Sequence, residues 1–344
     1  TPPPVAPPPT SPGRDTGGPG RGRRRPRVRV TRIVLLLLVA WVAYLVVVPF
    51  LAWNKVEQAA WEPDGERPAD QPGTTTLLVG SDSRADLTAE QRKELSTGNA
   101  EGQRTDTIML LHTGSGPNLL MSIPRDSLVD IPGSGTGKIN GAFARGGAPL
   151  LVQTIEQDTG IRIDDYAEIG FGGVVDMVDA VGGIEICPNH RMRDKLAGLN
   201  VKKGCQEVDG TTALAYSRSR HTNLKLGDVA RARQQREVVK AVGKKALSPW
   251  TFINPVRYWR LNMAVPASFS FGDGTGKIDA GRFGLAMTRV NGSNGLTCGV
   301  PISDLSVRWD PERSQQMFAK IISDDTDSIG DLCTPSGFPK RASS

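Results

Sequence analysis

Cysteine and histidine are scarce in this chain. Its 344 residues hold four cysteines, Cys187, Cys205, Cys298 and Cys333, and three histidines. No two cysteines form a CxxC pair and no histidine stands at zinc-ligand spacing, which excludes a zinc knuckle. The Gly-rich run from Gly133 to Gly137 lacks the GxxxxGKS/T spacing, so it is not a P-loop. No recognition-helix motif is evident, which removes the usual means of reading DNA. Acidic residues are nearly missing from the first 32 positions, where Arg14, Arg21, Arg23, Arg24, Arg25, Arg27, Arg29 and Arg32 face only Asp15. Charge of either sign is missing from Ile33 to Trp53.

Those last two absences define the start of the chain. Residues 1–32, rich in Pro, Gly and Arg and without apolar periodicity, read as a disordered basic tail. The formal net charge of +6 sits in that tail, so the remainder is close to neutral and nucleic acid is not an expected partner. About 20 apolar residues in helix span the hydrocarbon core of a bilayer, and residues 33–53 are long enough. The arginines before them belong on the cytoplasmic side. No A-x-A cleavage site follows, so a removed signal peptide is not expected. The reading is a single-pass, type II protein of the cell membrane, its tail cytoplasmic and everything after Trp53 extracellular. Trp53 and Trp61 are expected near the outer interface, and residues 54–73 read as a polar stalk. All four cysteines lie beyond the span, which suits two disulfides in an oxidising space. Three connectivities are possible, of which the sequential one, Cys187–Cys205 and Cys298–Cys333, is the simplest.

Beyond the stalk, short apolar runs alternate with helical patterns, which predicts an α/β fold (α-β-α): a mixed central sheet with helices on both faces, preceded by one transmembrane helix. Strands are expected over 75–80, 107–113 and 118–123, the last two joined in a hairpin by the Gly114–Pro117 turn. Further strands are expected over 166–171 and 184–187 and within 299–307. Helices are expected over 149–159, 174–181, 211–215, 237–247, 277–290 and 311–322. Each early strand has a carboxylate and an arginine at one end: Asp82 and Arg84, Arg104 and Asp106, Arg125 and Asp126. Charged residues at strand ends are where α/β folds build sites. If the strands are antiparallel neighbours, Asp82 and Asp106 come together and repel unless a cation or proton lies between them. Two carboxylates offer the hard oxygen ligands that Mg²⁺ prefers. The competing reading is that Asp82 caps a loop and Asp106 pairs with Arg104. Lys138 follows the Gly-rich loop and offers another phosphate contact.

The densest charge lies from Tyr216 to Arg236, YSRSRHTNLKLGDVARARQQR. An extended segment from Tyr216 to Arg220 would point Arg218 and Arg220 to one side. A helix opened by Asp228 would put Asp228, Arg231 and Gln235 on one face. Guanidinium groups are always charged, and their planar fork fits phosphate oxygens. A solvated, charged helix face is the competing reading.

Six blocks, LLVGSDSR (77–84), RTDTIML (104–110), SIPRDS (122–127), KIN (138–140), YSRSRH (216–221) and DVARARQQR (228–236), resemble the LytR-CpsA-Psr family of cell-wall enzymes in order and spacing. The resemblance covers about residues 74–245. It implies a catalytic domain over 74–248; the residues that follow read as a C-terminal α/β portion over 249–335 packed on it and a flexible tail over 336–344. It also implies a phosphotransferase that moves a glycopolymer from a polyprenyl-diphosphate carrier to peptidoglycan through a phosphodiester, with diphosphate hydrolysis as a side reaction. By the same resemblance Asp82 and Asp106 hold Mg²⁺ (or Mn²⁺). Arg125, Arg218, Arg220 and Arg231 are expected to bind the diphosphate, with Lys138, Gln235 and Arg233 assisting and Arg84 and Arg104 as further contacts. Asp228 or Asp82 is the candidate base for the acceptor hydroxyl. Partners are then the lipid-linked glycopolymer, peptidoglycan and the cytoplasmic membrane. Two rivals remain at this point: a membrane-anchored transcriptional attenuator, whose arginine motifs would lie on the wrong side of the membrane, and a noncatalytic wall-binding protein, which would not need paired acids beside arginines.

Overall fold

The computed structural model describes residues 27–81, 90, 92, 95, 105–219, 227–290, 295–304 and 306–339. The chain divides into two units, Thr1–Val46 and Val47–Ser344. The expected tail over 1–26, and most of the polar segment over 85–103, lie outside the described residues. Helix α1, Arg27–Trp53, begins before the charge-free run. No Gly or Pro stands between Arg27 and Ile33, so nothing stops the helix from propagating backward over residues expected to be disordered. Val30–Trp53 is the one helix among the described residues long and apolar enough to cross a membrane.

The second unit is built on a seven-stranded mixed sheet. Its first strand, β1 (Glu57–Ala59), lies in the segment expected to be a stalk. Trp61 follows it, 3% exposed and packed in the core, its indole N–H donating to the Asp273 carbonyl at 3.2 Å. Arg67 lies over the Trp61 ring at 5.3 Å and bonds Glu156 at 2.7 Å. The stalk is therefore part of the folded domain, and Trp61 is a core residue rather than an interface anchor. An indole buries more area than the intervening polar residues cost, and it draws its segment in.

Strands β2 (Thr74–Ser81), β3 (Thr105–Thr113) and β4 (Asn118–Ile123) follow as expected, with β3 and β4 antiparallel. Next come the small hairpin β5 (Leu128–Ile131) and β6 (Gly135–Lys138), where a loop was expected. Helix α2 (Asn140–Thr159) starts earlier than Pro149; it bends at Gly146–Gly147 and ends at Gly160, which adopts φ 69°. A left-handed glycine of this kind is the usual helix terminator. After β7 (Asp165–Ile169) the chain forms α3 (Phe171–Ala180) and β8 (Ile184–Ile186). Residues 188–208 hold β9 (Met192–Asp194), β10 (Leu199–Val201) and β11 (Gln206–Val208). Helices α4 (Gly210–Arg218), α5 (Gly227–Ala246), α6 (Pro249–Ile253) and α7 (Pro255–Ser268) lead to β12 (Phe269–Gly272). The described chain closes with α8 (Lys277–Arg289), β13 (Gly295–Gly299) and α9 (Pro311–Ile322).

The strand order is β1-β12-β7-β2-β3-β4-β13. Strands from the C-terminal tract pair at β7 and at β4, so residues 249–335 complete the sheet itself and are not a portion packed onto a finished domain. Alternation along the strands splits the core between the two faces. Leu77, Val79, Ile108 and Leu110 join α2 and α9 on one face; Leu78, Met109, Leu111 and Phe271 join α7 and α8 on the other. Helices on both faces of a mixed sheet match the α-β-α expectation. The cysteines pair sequentially, Cys187–Cys205 and Cys298–Cys333. In the chain-entropy model the longer bridge, closing 35 residues, stabilises the fold by about 4 kcal/mol. Residues 336–339 are not a free tail: the Ile302 N–H donates to the Gly337 carbonyl and Phe338 packs against the core.

Candidate functional site

Strand register brings the chemistry to one end of the sheet. Ser81, the residue before Asp82, pairs with Thr105, the residue before Asp106, across a β-bulge. The Thr105 hydroxyl donates to the Thr107 carbonyl at 2.8 Å and to the Gly80 carbonyl at 3.2 Å, which holds that bulge shut. At the same end Gly80 pairs with Ile169 of β7, and Ile108 pairs with Ile123, two residues before Arg125. The antiparallel arrangement needed to bring the two aspartate positions together is therefore present. Asp82, Arg84, Arg104 and Arg220 lie outside the described residues, as do the side chains of Asp106, Asp228 and Arg231. Asp106 lies on β3, and Asp228 and Arg231 lie on α5.

Arg218 differs from the sequence expectation. It is the last residue of α4, not part of an extended segment. Asp209 caps that helix by accepting from the Thr212 N–H at 2.8 Å, and hydrogen bonding from the Thr212 side chain, then its backbone, holds the carboxyl below its usual range. Ala213, Leu214, Ala215 and Tyr216 are buried behind it, so packing carries the helix through the arginine and the chain turns extended only at Ser219. The Arg218 guanidinium stacks over the Phe171 ring at 4.7 Å and donates to the Leu95 carbonyl at 2.8 Å. A cation on an aromatic face, anchored at one corner, has a set orientation.

Arg218 forms part of the wall of a cavity of about 580 Å³. Ser81, Thr107, Ser217, Gln235, Asn262, Lys277 and Thr288 are polar residues of the same wall, and the rest of it is mainly apolar, with Leu78, Met177, Leu214, Val238 and Phe269 among its side chains. On α5, Gln235, Val238, Val239 and Val242 share this inward face. On α8 the wall includes Gly281 and Gly284, where an added Cβ would meet nothing within 4 Å. Both glycines are exposed, so the hollow is open to solvent along this helix. A hollow lined by aliphatic groups with a few polar groups is the form of a ligand site.

Arg125 and Lys138 are joined through Asp126: Arg125 Nε is 3.4 Å from Asp126 Oδ2 and Lys138 Nζ is 2.7 Å from Asp126 Oδ1. The β5–β6 hairpin makes this junction, because the N–H of Ile139 donates to Ser127 O and that of Asn140 to Arg125 O. Arg233 is exposed and does not line the cavity. Arg236, not expected to have a special role, is 7% exposed. Its Nη1 donates to Ser122 Oγ at 2.5 Å and its Nη2 to Pro335 O at 2.6 Å. Burial, aided by nearby Arg233, pushes its pKa down to about 10, so it remains cationic at neutral pH. Tyr216 donates to Glu237 Oε2 at 2.8 Å while Glu237 Oε1 accepts the Cys187 N–H at 2.9 Å. Burial and that bond push the phenol up, which keeps it a donor. Phe171 and Leu95 were missed: each meets Arg218 only across the fold, and no local spacing signals it. Among the described residues one cluster has metal-ligand proximity, Glu185 with Cys187 and Cys205, and its sulfurs are already bonded to each other.

The model of the LytR_cpsA_psr family matches residues 53–257. A probable cell wall biosynthesis protein, LcpB, of Corynebacterium glutamicum is 44% identical over 262 residues, covering 74% of this chain and 62% of its own length. A polyisoprenyl-teichoic acid–peptidoglycan teichoic acid transferase, TagU, of Enterococcus faecalis is 35% identical over 177 residues, 51% of this chain and 54% of its own. This chain thus spans between half and two thirds of these relatives. Among solved structures, a LytR-Csp2A-Psr enzyme from Actinomyces oris superposes with a TM-score of 0.64 at 20% identity, covering 81% of this chain and 97% of that one. At that identity the likeness speaks for the fold.

Proposed function

Because the chain belongs to the LytR_cpsA_psr family, we propose that it attaches a cell-wall glycopolymer to peptidoglycan. The donor is the glycopolymer on a polyprenyl diphosphate, the linkage a phosphodiester, and the second product polyprenyl phosphate. The observation that carries this reading is the cavity: a large apolar hollow that has Arg218, Gln235 and Ser81 in its wall, at the sheet end where both aspartates follow. Its shape and chemistry match a ligand with a long hydrocarbon tail and an anionic head. The name of the Enterococcus faecalis relative supports the same class of donor and acceptor, and that of the Corynebacterium glutamicum relative supports cell wall biosynthesis.

In the reaction a sugar hydroxyl of peptidoglycan attacks the phosphorus that bears the glycopolymer. The bond from that phosphorus to the bridging oxygen breaks, and negative charge grows on the departing prenyl phosphate. The hydroxyl proton passes to a carboxylate, for which Asp228 and Asp82 are the candidates. Transfer of this kind is mostly positioning and electrostatic stabilisation. Arg218, set by Phe171, meets the diphosphate oxygens, and Arg125, Arg220 and Arg231 are the further arginines assigned to the same anion. Lys138 and Gln235 assist; Arg84, Arg104 and Arg233 are outer contacts. The donor set of Asp82 and Asp106, two carboxylates following directly paired residues, fits a hard divalent cation, and Mg²⁺ or Mn²⁺ there supplies charge neutralisation to the diphosphate. Water in place of the sugar hydroxyl gives the hydrolytic side reaction. The Val30–Trp53 helix anchors the chain in the cytoplasmic membrane; the arginines before it and the two disulfides beyond it support an external domain.

The deciding experiment incubates the full chain with a prenyl-diphosphate glycan, peptidoglycan and Mg²⁺, and scores covalent attachment separately from phosphate release. Attachment that stops in EDTA is expected. Release without attachment makes the protein a diphosphatase, and attachment unchanged by EDTA discards the metal. The cavity has its own test. Gly284→Phe places a ring at the exposed rim of the cavity without backbone strain, since this helical glycine has no positive φ. Each methylene displaced from the hollow costs about 0.8 kcal/mol, so KM for a long-chain donor rises about tenfold or more. A short-chain donor is unaffected, and equal effects on both chains would remove the tail from the cavity.

A further inference from the structure

Helices α6 and α7 have two apolar sides. Their inner side contributes Tyr258, Leu261 and Val265 to the cavity wall. Their outer side leaves Trp250 58%, Ile253 63%, Val256 58% and Trp259 45% exposed. A helix on the surface of a water-soluble domain normally turns charge outward. Here the stretch Pro249–Ser268 contains no carboxylate, and its two charged residues are Arg257 and Arg260. Exposed cations flank it at Lys244 and Lys277. Isolated surface hydrophobics need no explanation, but two indoles and two aliphatic side chains on adjoining helices do.

The same side of the sheet holds the cavity rim. Phe50, Leu247, Phe252 and Ile278 line the cavity yet are 55%, 42%, 39% and 70% exposed. Phe50 belongs to the last turns of the apolar span and lies under the Lys277 ammonium at 5.0 Å. The chain thus leaves its membrane helix directly at the apolar mouth of the cavity. Indole rings and cations at the edge of an apolar surface are the pattern that settles in a bilayer interface, with anionic headgroups as counter-charge.

We propose that the outer face of α6 and α7, with the rim at Phe50, Leu247, Phe252 and Ile278, seats in the surface of an anionic lipid bilayer. This rests on the reading of Val30–Trp53 as a membrane span. Seating lets a hydrocarbon tail pass from the bilayer into the cavity without crossing water, while the diphosphate end stays at the aqueous site. The test places the photoreactive substitution Ile253→p-benzoylphenylalanine in the full chain, reconstituted in vesicles of phosphatidylcholine and phosphatidylglycerol. Gln315→p-benzoylphenylalanine, at an exposed position of α9 across the sheet, is the control. Lipid adducts at position 253 severalfold above those at 315 are expected, and Trp259→Glu in the same chain lowers them. Equal labelling at the two positions overturns the proposal, as does a protein–protein adduct at 253 in place of lipid. Alkaline carbonate extraction separates the causes: a chain retained in the vesicles but unlabelled at 253 defeats the seating alone, whereas a chain released by carbonate defeats the anchor and the seating together.

Discussion

Arg218→Ala abolishes glycopolymer transfer in a protein that still folds. Removal of one preorganised donor from a site where charge develops typically lowers kcat by about a hundred- to a thousandfold. The side chain sits at the end of α4, stacked on Phe171 and tied to the Leu95 carbonyl. Its loss leaves α4 capped by Asp209 and buried through Leu214 and Tyr216, so thermal stability changes little. Arg218→Lys is not a rescue, because an ammonium has neither the planar face for Phe171 nor the fork for two phosphate oxygens. The check is attachment of labelled glycopolymer by proteins whose melting curves are compared first. Near-normal transfer by the alanine variant would take Arg218 off the diphosphate.

Arg236→Ala has a large effect of a different kind. It leaves the Ser122 hydroxyl and the Pro335 carbonyl without this buried donor. Ser122 is buried while Pro335 lies at the surface, so the loss costs about 1–3 kcal/mol. At roughly 2–4 °C per kcal/mol, the melting temperature falls by about 2–12 °C. Transfer per folded molecule is preserved, since Arg236 faces β4 and the C-terminal segment rather than the cavity. Arg233→Ala, at an exposed neighbouring position, leaves the melting temperature nearly unchanged. Calorimetry beside the transfer assay checks both, and a stable but inactive Arg236→Ala protein would move this arginine into the reaction. The two arginines look alike in sequence and differ only in what lies across from them.

Much of the fold was legible because it is written locally. Strand β4 and helix α9 fall where alternation and helical spacing put them, between Gly and Pro signals that end one element and begin the next. The stalk was misread because polar composition over 54–73 outweighed Trp61, whose partners are Asp273 and the core of a distant sheet. Arg218 was misread because a run of alternating serine and arginine suits a strand, while burial of Tyr216 and its neighbours keeps the segment helical. Propensity is a weak prior when tertiary packing opposes it.

By itself the sequence determined that this chain carries an apolar helix long enough to span a bilayer, basic residues before it, cysteines only after it, and six motif blocks in the order of one family. These are matters of covalent order and local composition, which need no partner to be read. Only the tertiary structure decided that the C-terminal tract completes the sheet, that Phe171 holds Arg218, and that a hollow opens between α5, α7 and α8 beside the strand ends. Each of those depends on contacts between residues far apart in the chain, and such contacts are set by which surfaces can be buried together at the lowest total free energy.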